Sequence, residues 1–334
     1  MKQGVLVTGG AGYVGNRLVP RLLESGYAVV VYDSCFFKPD TLPLEHPDLK
    51  VVKADIRDIN SFKSAVKGMH AVLHLACISN DPSFELNEAL SKSINYDCFE
   101  PMVLAAKDAG VSRFVYCSSS SVYGVSDLPD VTEEAPLVPL TLYNKYKGLC
   151  EPLLFKYKSN DFVTTVIRPA TICGVSPRMR FDLTVNILTC HAYQKGKITV
   201  FGGTQQRPNL HIEDMCDAYL LLLKSDEKLI QGETFNIGNQ NLPIYDIAIQ
   251  VKETIENAFP NKKPIVIETQ PSQDLRSYHI NSDKIARILK FSPKRNIQDA
   301  IMDICNAFCR GEFSDALTND WYYNVRYLKV SHIA

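Results

Sequence analysis

The segment Val5-Leu-Val-Thr-Gly-Gly-Ala-Gly-Tyr-Val-Gly15 limits what this chain can fold into more than any other feature. A β-branched run ends in glycines at 9, 12 and 15, and helical spacing begins at once beyond them. Strand, tight turn and helix in that order set a helix N-terminus, with its uncompensated N–H groups, over the end of a strand, where an anion is favoured. Gly9 permits the turn, Gly12 lets the backbone approach a pyrophosphate, and Gly15 lets the helix pack against the sheet. The next β-branched run ends at Asp33, eighteen residues beyond Gly15, where a carboxylate accepts both hydroxyls of an adenosine ribose. A 2′-phosphate would be repelled there. The neighbours Ser34, Cys35, Phe36 and Phe37 include no arginine to neutralise it, so NAD is expected rather than NADP. Asp55 and Ile56, at the end of a third strand, are placed to contact the adenine; a carboxylate at a helix N-terminus is the other reading of Asp55.

The first half of the chain alternates short apolar runs with longer helical patterns, the mark of a parallel sheet covered on both faces. Strands are predicted at 5–8, 28–32, 50–53, 71–75, 113–117 and 164–167. Helices are predicted at 13–25, 60–66, 87–109 and 142–157. The expected fold is α/β, a Rossmann-type doubly wound parallel sheet with a smaller mixed α/β C-terminal substrate lobe. Residues 1–172 form the sheet domain, to which the chain returns at about 208–240 through a helix at 212–223 and a strand at 234–237. Residues 173–207 and 241–315 form the lobe, and 316–334 an aromatic tail. That tail holds the only tryptophan, Trp321, beside Tyr322, Tyr323 and Tyr327, and is expected to dock on the body or on a second subunit.

At roughly 150 residues per domain, 334 residues accommodate this division. Lys and Arg total 36 against 37 Asp and Glu, a net charge of −1, without the basic excess that binding along a phosphate backbone needs. Nucleic acid is therefore not expected as a partner. The ten cysteines are strewn through apolar stretches without a paired framework, which reads as reduced thiols in a cytoplasmic chain. Cys305 and Cys309 have one-turn spacing but no second pair of ligands nearby, so no metal is expected. No secretory leader and no membrane span is read from the sequence.

A second constellation is Cys117-Ser-Ser-Ser-Ser-Val-Tyr-Gly124 at the end of the fifth strand, followed by Tyr143-Asn-Lys-Tyr-Lys147 on a helix. Tyr143 and Lys147, four apart, share one helical face. A phenol is a poor base at neutrality, but a cation about 4 Å away at an effective dielectric near 20 contributes roughly 4 kcal/mol, or about 3 pKa units. With the positive nicotinamide ring, Lys147 is expected to bring Tyr143 near neutrality, where a general base works best.

Together, Thr8-Gly-Gly-Ala-Gly-Tyr-Val-Gly15, His74-Leu-Ala-Cys77, the serine-rich strand end and Tyr143/Lys147 resemble the extended short-chain dehydrogenase/reductase family, specifically its NAD-dependent nucleotide-sugar epimerases and dehydratases. The resemblance spans about residues 4–300. It implies a catalytic Ser119, four residues before Tyr123, that hydrogen-bonds the reacting sugar hydroxyl, with Tyr143 the base and Lys147 also holding the nicotinamide ribose. It implies cofactor contacts from Tyr13, Val14, Leu75 and Ala76, and an Asn95 that supports the lysine. On the substrate side it implies Ser120, Ser121, Asn186, Arg207 and Arg276, the arginines meeting the nucleotide and the diphosphate. Relatives that eliminate water usually carry acids in the two positions held here by Ser120 and Ser121, so dehydration is disfavoured. Cys173 stands where a tyrosine is usual, and Arg178 and Arg180 are left to face either a second phosphate, an acidic sugar or solvent. The expected activity is epimerisation of a nucleoside-diphosphate sugar through a transient 4-keto intermediate. The alternatives are a 4-dehydrogenase that releases the ketone and a cofactor-sensing or scaffolding protein without chemistry. A homodimer through the helices at about 95–109 and 142–157 is implied as well.

Overall fold

The computed structural model describes residues 2–37, 40–126, 128, 130–272 and 277–331. The strands are β1 (Gly4–Thr8), β2 (Ala28–Asp33), β3 (Leu49–Lys53), β4 (Ala71–His74), β5 (Arg113–Cys117), β6 (Val163–Pro169), β7 (Thr171–Cys173), β8 (Lys197–Phe201), β9 (Gln206–His211), β10 (Glu233–Ile237), β11 (Gln240–Pro243) and β12 (Val266–Gln270). Seven of them form one parallel sheet in the order β10-β6-β5-β4-β1-β2-β3. Its central strands β1, β4, β5 and β6 are buried at almost every position because both faces are covered. Val5 and Val7 enter one core with Leu18, Leu22, Met215 and Leu222, whereas Leu6 enters the opposite core with Tyr32, Phe99, Val103 and Phe114. The chain runs outward from β1 through β2 to β3, and in the other direction from β4 through β5 to β6. The connections leaving β1 and β4 therefore diverge and open a crevice at the carboxyl ends of the strands.

After β6 the chain builds a separate core from a three-stranded sheet, β11-β9-β7, the pair β12-β8, and the helices Thr184–Lys195, Ile244–Ala258 and Ile297–Cys309. Between these it returns to the large sheet, through helix Ile212–Lys224 on the face that helix Gly15–Glu24 also covers and through β10 beside β6. Among the described residues no helix is long and apolar enough to cross a membrane.

One expectation changes, and one left open between two outcomes is narrowed. The helix predicted over 87–109 is broken into Glu88–Lys92, a π-helical turn Ser93–Asp97 and Phe99–Asp108. The wider turn carries Asn95, whose side chain accepts from Ile78 N–H (2.8 Å) and donates to Ile78 C=O (2.9 Å) on the loop after β4. The aromatic tail folds onto the body: Tyr322 and Tyr323 are buried in a cluster with Tyr13, Met179 and Phe181.

Candidate active site

At the crevice, Gly9 adopts φ 72°, and a Cβ there would lie 2.8 Å from the backbone of Ala76; on Gly15 it would lie 2.5 Å from the carbonyl of Gly10. These glycines let the loop after β4 and the first helix close on one turn. The backbone N–H groups of Tyr13 and Val14 find no acceptor among the described residues, and they stand at the start of the helix. Two orphan donors at a helix N-terminus are what a pyrophosphate fills, so the residues present fit a dinucleotide. Asp33 stands beside them at the end of β2. Its carboxylate accepts from Ala11 N–H (3.0 Å) and Cys35 N–H (2.8 Å), while burial raises its pKa against those two bonds. Each oxygen keeps a lone pair for a ribose hydroxyl. Asp55 lies at the end of β3, where its half-exposed carboxylate pairs with Arg57 at 2.6 Å and is held below the usual range by it. The helix beyond is capped by Asp58 instead. Ile56 is buried against Tyr32 and Phe62.

The chemical end is built where helix Leu142–Phe155, capped by Thr141, crosses the end of β5. Lys147 is buried and donates from Nζ to the carbonyl of Cys117 at 2.7 Å, with its ammonium 5.1 Å from the ring of Tyr116. Tyr143, one turn earlier on the same face, lies within the field of Cys77, Cys117, Asp81 and Arg180. Its hydroxyl has no hydrogen-bond partner among the described residues, which leaves it available to a ligand. Ser119 follows, with a relay that runs from Ser119 Oγ to Ser121 Oγ (2.7 Å) and from Ser121 Oγ to Asn144 Oδ1 (2.5 Å). Since Ser121 gives its proton to Asn144, Ser119 gives its own to Ser121, and the Ser119 oxygen in turn accepts from Ser121 N–H (3.2 Å). Ser120 is buried beneath.

The expectation for Tyr143 includes the positive nicotinamide ring, and the chain alone does not reach it. In the chain alone the Tyr143 phenol is held well above 10, not drawn toward neutrality. Burial is the largest cause, the Cys77, Cys117 and Asp81 groups add to it, and Arg180 is the cation that opposes them. A buried phenol resists charge until more positive charge is placed beside it. His74, which faces Lys147, is driven down to about 3 by burial and then by that ammonium, so it stays neutral.

Other sequence-predicted residues fall in different places. Asn186 is fully buried and spent inside the protein: it accepts from Gly174 N–H and donates to Tyr13 Oη and to the carbonyl of Arg180. With both amide protons used it has none left for a diphosphate; it fixes the turn between Gly174 and Arg180 against Tyr13. Asn95 clamps the loop after β4 rather than the lysine. Arg207 lies on β9 with its guanidinium 5.5 Å from the Tyr278 ring. Arg276 lies outside the described residues. Arg178 and Arg180 do not face solvent: Arg180 pairs with Asp182 at 2.9 Å, and Arg178 is 1% exposed.

Sequence reasoning missed Glu151. One turn beyond Lys147, its carboxylate accepts from Ser118 Oγ (2.6 Å) and from Arg168 (3.0 and 2.5 Å), and Arg168 donates to Tyr123 Oη (2.7 Å). This pair ties the strand end before Ser119 to the helix that carries Tyr143 and Lys147. A glutamate on the same helical face as a buried lysine was the available signal. Asn236 closes the network by accepting from Tyr123 Oη at 2.7 Å.

Among known proteins, the NAD-dependent epimerase/dehydratase family matches residues 5–238. The UDP-glucose 4-epimerase of Lactobacillus helveticus is 28% identical over 325 residues, covering 89% of this chain and 94% of that protein. The low-salt glycan biosynthesis protein Agl12 of Haloferax volcanii is 30% identical over 307 residues, covering 89% of this chain and 96% of that protein. The structure of MoeE5 in complex with UDP-glucuronic acid and NAD aligns with a TM-score of 0.79 at 25% identity, over 92% of this chain and 99% of that one.

Proposed function

Because this chain belongs to the NAD-dependent epimerase/dehydratase family, we propose that it is a nucleoside-diphosphate-sugar 4-epimerase working through a transient 4-keto sugar. The observation that carries this reading is the convergence of Tyr143, Lys147 and the Ser119–Ser121 relay on the end of β5, beside a turn fitted to a dinucleotide. Bound NAD supplies the hydride acceptor, and later donor, for the sugar C4. Tyr143 takes the proton of the C4 hydroxyl and gives it back after the sugar has turned over. Ser119, turning its hydroxyl from Ser121 to the C4 oxygen, would donate to it and orient it while the sugar's proton passes to Tyr143, a positioning effect that lowers the entropy cost of the transfer. Arg180, the cation that already opposes the burial of the phenol, would act with the cofactor's positive charge and the Lys147 side chain one turn along the helix to favour the phenolate.

The names of the Lactobacillus relative and of the MoeE5 complex support a UDP-sugar as substrate. Dehydration is the less favoured reading although dehydratases are also among the relatives, because Ser120 and Ser121 carry no carboxyl to protonate a leaving hydroxide. Substitution of Tyr143 tests the reading. Tyr143→Phe should lower kcat by about a hundredfold to ten-thousandfold, the usual worth of a general base, while NAD still co-purifies. Activity within a factor of two of the parent would remove Tyr143 from this role.

A further inference from the structure

Helix Ile297–Cys309 belongs to the lobe core, yet the chain beyond it crosses to three segments around the cofactor cleft. Tyr322 and Tyr323 share an apolar cluster with Tyr13 of the glycine turn. Tyr327 stacks on Phe37 with ring centroids 5.3 Å apart, Trp321 meets the same ring edge-on at 5.9 Å, and Phe36 meets Tyr327 at 5.0 Å. Both phenylalanines stand on the loop that leaves Asp33. Asn324 is the knot of the segment and is buried. Its side-chain carbonyl accepts from Arg178 (2.5 Å), its amide donates to Ser79 Oγ (3.0 Å), and its backbone N–H donates to Asp182 (3.1 Å). Ser79 lies on the loop that follows β4 past Leu75 and Ala76. One short segment thus joins the glycine turn, the ribose loop and the β4 loop, the three pieces of backbone between which a dinucleotide would lie.

A second observation comes from beneath the segment. The Arg178 guanidinium sits 3.6 Å from the Phe37 ring with Nε unbonded, and no carboxylate pairs with it among the described residues. A buried cation is costly unless an anion shares its surroundings. Asp182 is the nearest help, and it is already engaged by Arg180. Arg178 lies within the electrostatic reach of Tyr13, so a pyrophosphate on the Tyr13 and Val14 N–H groups would add negative charge to its surroundings.

We propose that residues 321–327 are a strap that closes over the cofactor cleft, and that Asn324 and Tyr327 determine how firmly NAD is retained. An epimerase returns hydride to the sugar it came from and gains from a cofactor that never leaves, whereas an enzyme that exports a ketone must exchange its cofactor on every turnover. The inference rests on the cofactor common to the family and not on the choice of sugar reaction, so a failed retention test and a failed product test are separate results.

The test follows bound NAD in the purified protein, as nucleotide per chain after gel filtration and as its release rate on dilution into an NAD-free scavenging buffer. Asn324→Ala and Tyr327→Ala should each release NAD at least about tenfold faster than the parent, the scale of one lost buried hydrogen bond or stacked ring pair. Val330→Ala, an exposed position at the end of helix Asn324–Val330, should match the parent. Equal release from all four proteins overturns the proposal. Should a variant fail to fold, hydrogen exchange on the parent decides: NAD should protect the amides of 320–330, and unchanged exchange there overturns the strap.

Discussion

At the scale of single residues, the site contains groups whose ionisation the fold has moved in opposite directions. The Tyr143 phenol is pushed up by burial, so the chain by itself holds its base protonated, and activity should fall as pH drops below the ionisation of the loaded enzyme. His74 is pushed down to about 3 from an ordinary 6.5, by burial first and Lys147 second. The unfolded chain therefore binds a proton that the folded one refuses. Stability from this residue is complete above about pH 6.5 and is lost as pH falls toward 3, at up to about 1.4 kcal/mol per pH unit. His74→Gln, which keeps a partner for Thr8 Oγ1 (2.7 Å from Nδ1 in the parent), should flatten that part of the unfolding free energy against pH. An unchanged slope in chemical denaturation would show that His74 is not the group responsible. At this scale the tight turn at Gly9, the close packing at Gly15 and the strand-end position of Asp33 were legible in the sequence because backbone sterics and the end of an apolar run leave few alternatives. Asn186 was not, because the same amide serves a diphosphate or a buried turn equally well, and its partners Tyr13 and Arg180 are distant in sequence or hidden by folding.

Among elements, the parallel strands were readable as continuous apolar runs because two cores cover them, whereas the π-helical turn at Ser93–Asp97 was not, since one inserted residue barely disturbs an apolar period. Joining β5, β6 and helix Leu142–Phe155 is the buried Glu151–Arg168 pair, 4% and 6% exposed. Removing one partner strands the other charge in the core, so Glu151→Ala should cost about 3–5 kcal/mol in chemical unfolding and loosen the Ser118–Ser119 strand end. A loss below about 1 kcal/mol would mean that water or a neighbour readily replaces the carboxylate. Packing side chains from three elements around one ion pair is a tertiary event, and only the helical spacing of Lys147 and Glu151 announced it.

For the whole molecule, the tail was the least readable part: its aromatic content announced docking, but the partner, Phe36 and Phe37 some 290 residues earlier in the chain, is set by the way the lobe folds back. Leu104 and Leu149 remain exposed on helices Phe99–Asp108 and Leu142–Phe155, and we propose that these faces pair in a homodimer. Leu104→Glu combined with Leu149→Glu should then shift gel filtration from dimer to monomer, and a parent that runs as a monomer at micromolar concentration would refute the pairing. The central claim, a proton taken by Tyr143 from a sugar that receives its hydride back, is tested most directly by NMR of the sugar after incubation of the NAD-loaded protein with UDP-glucose, UDP-galactose or UDP-glucuronic acid. The account predicts an equilibrium mixture of C4 epimers from at least one of them with no net reduction of the cofactor; a 4-keto or dehydrated product, or reduction of cofactor in step with product, would contradict it.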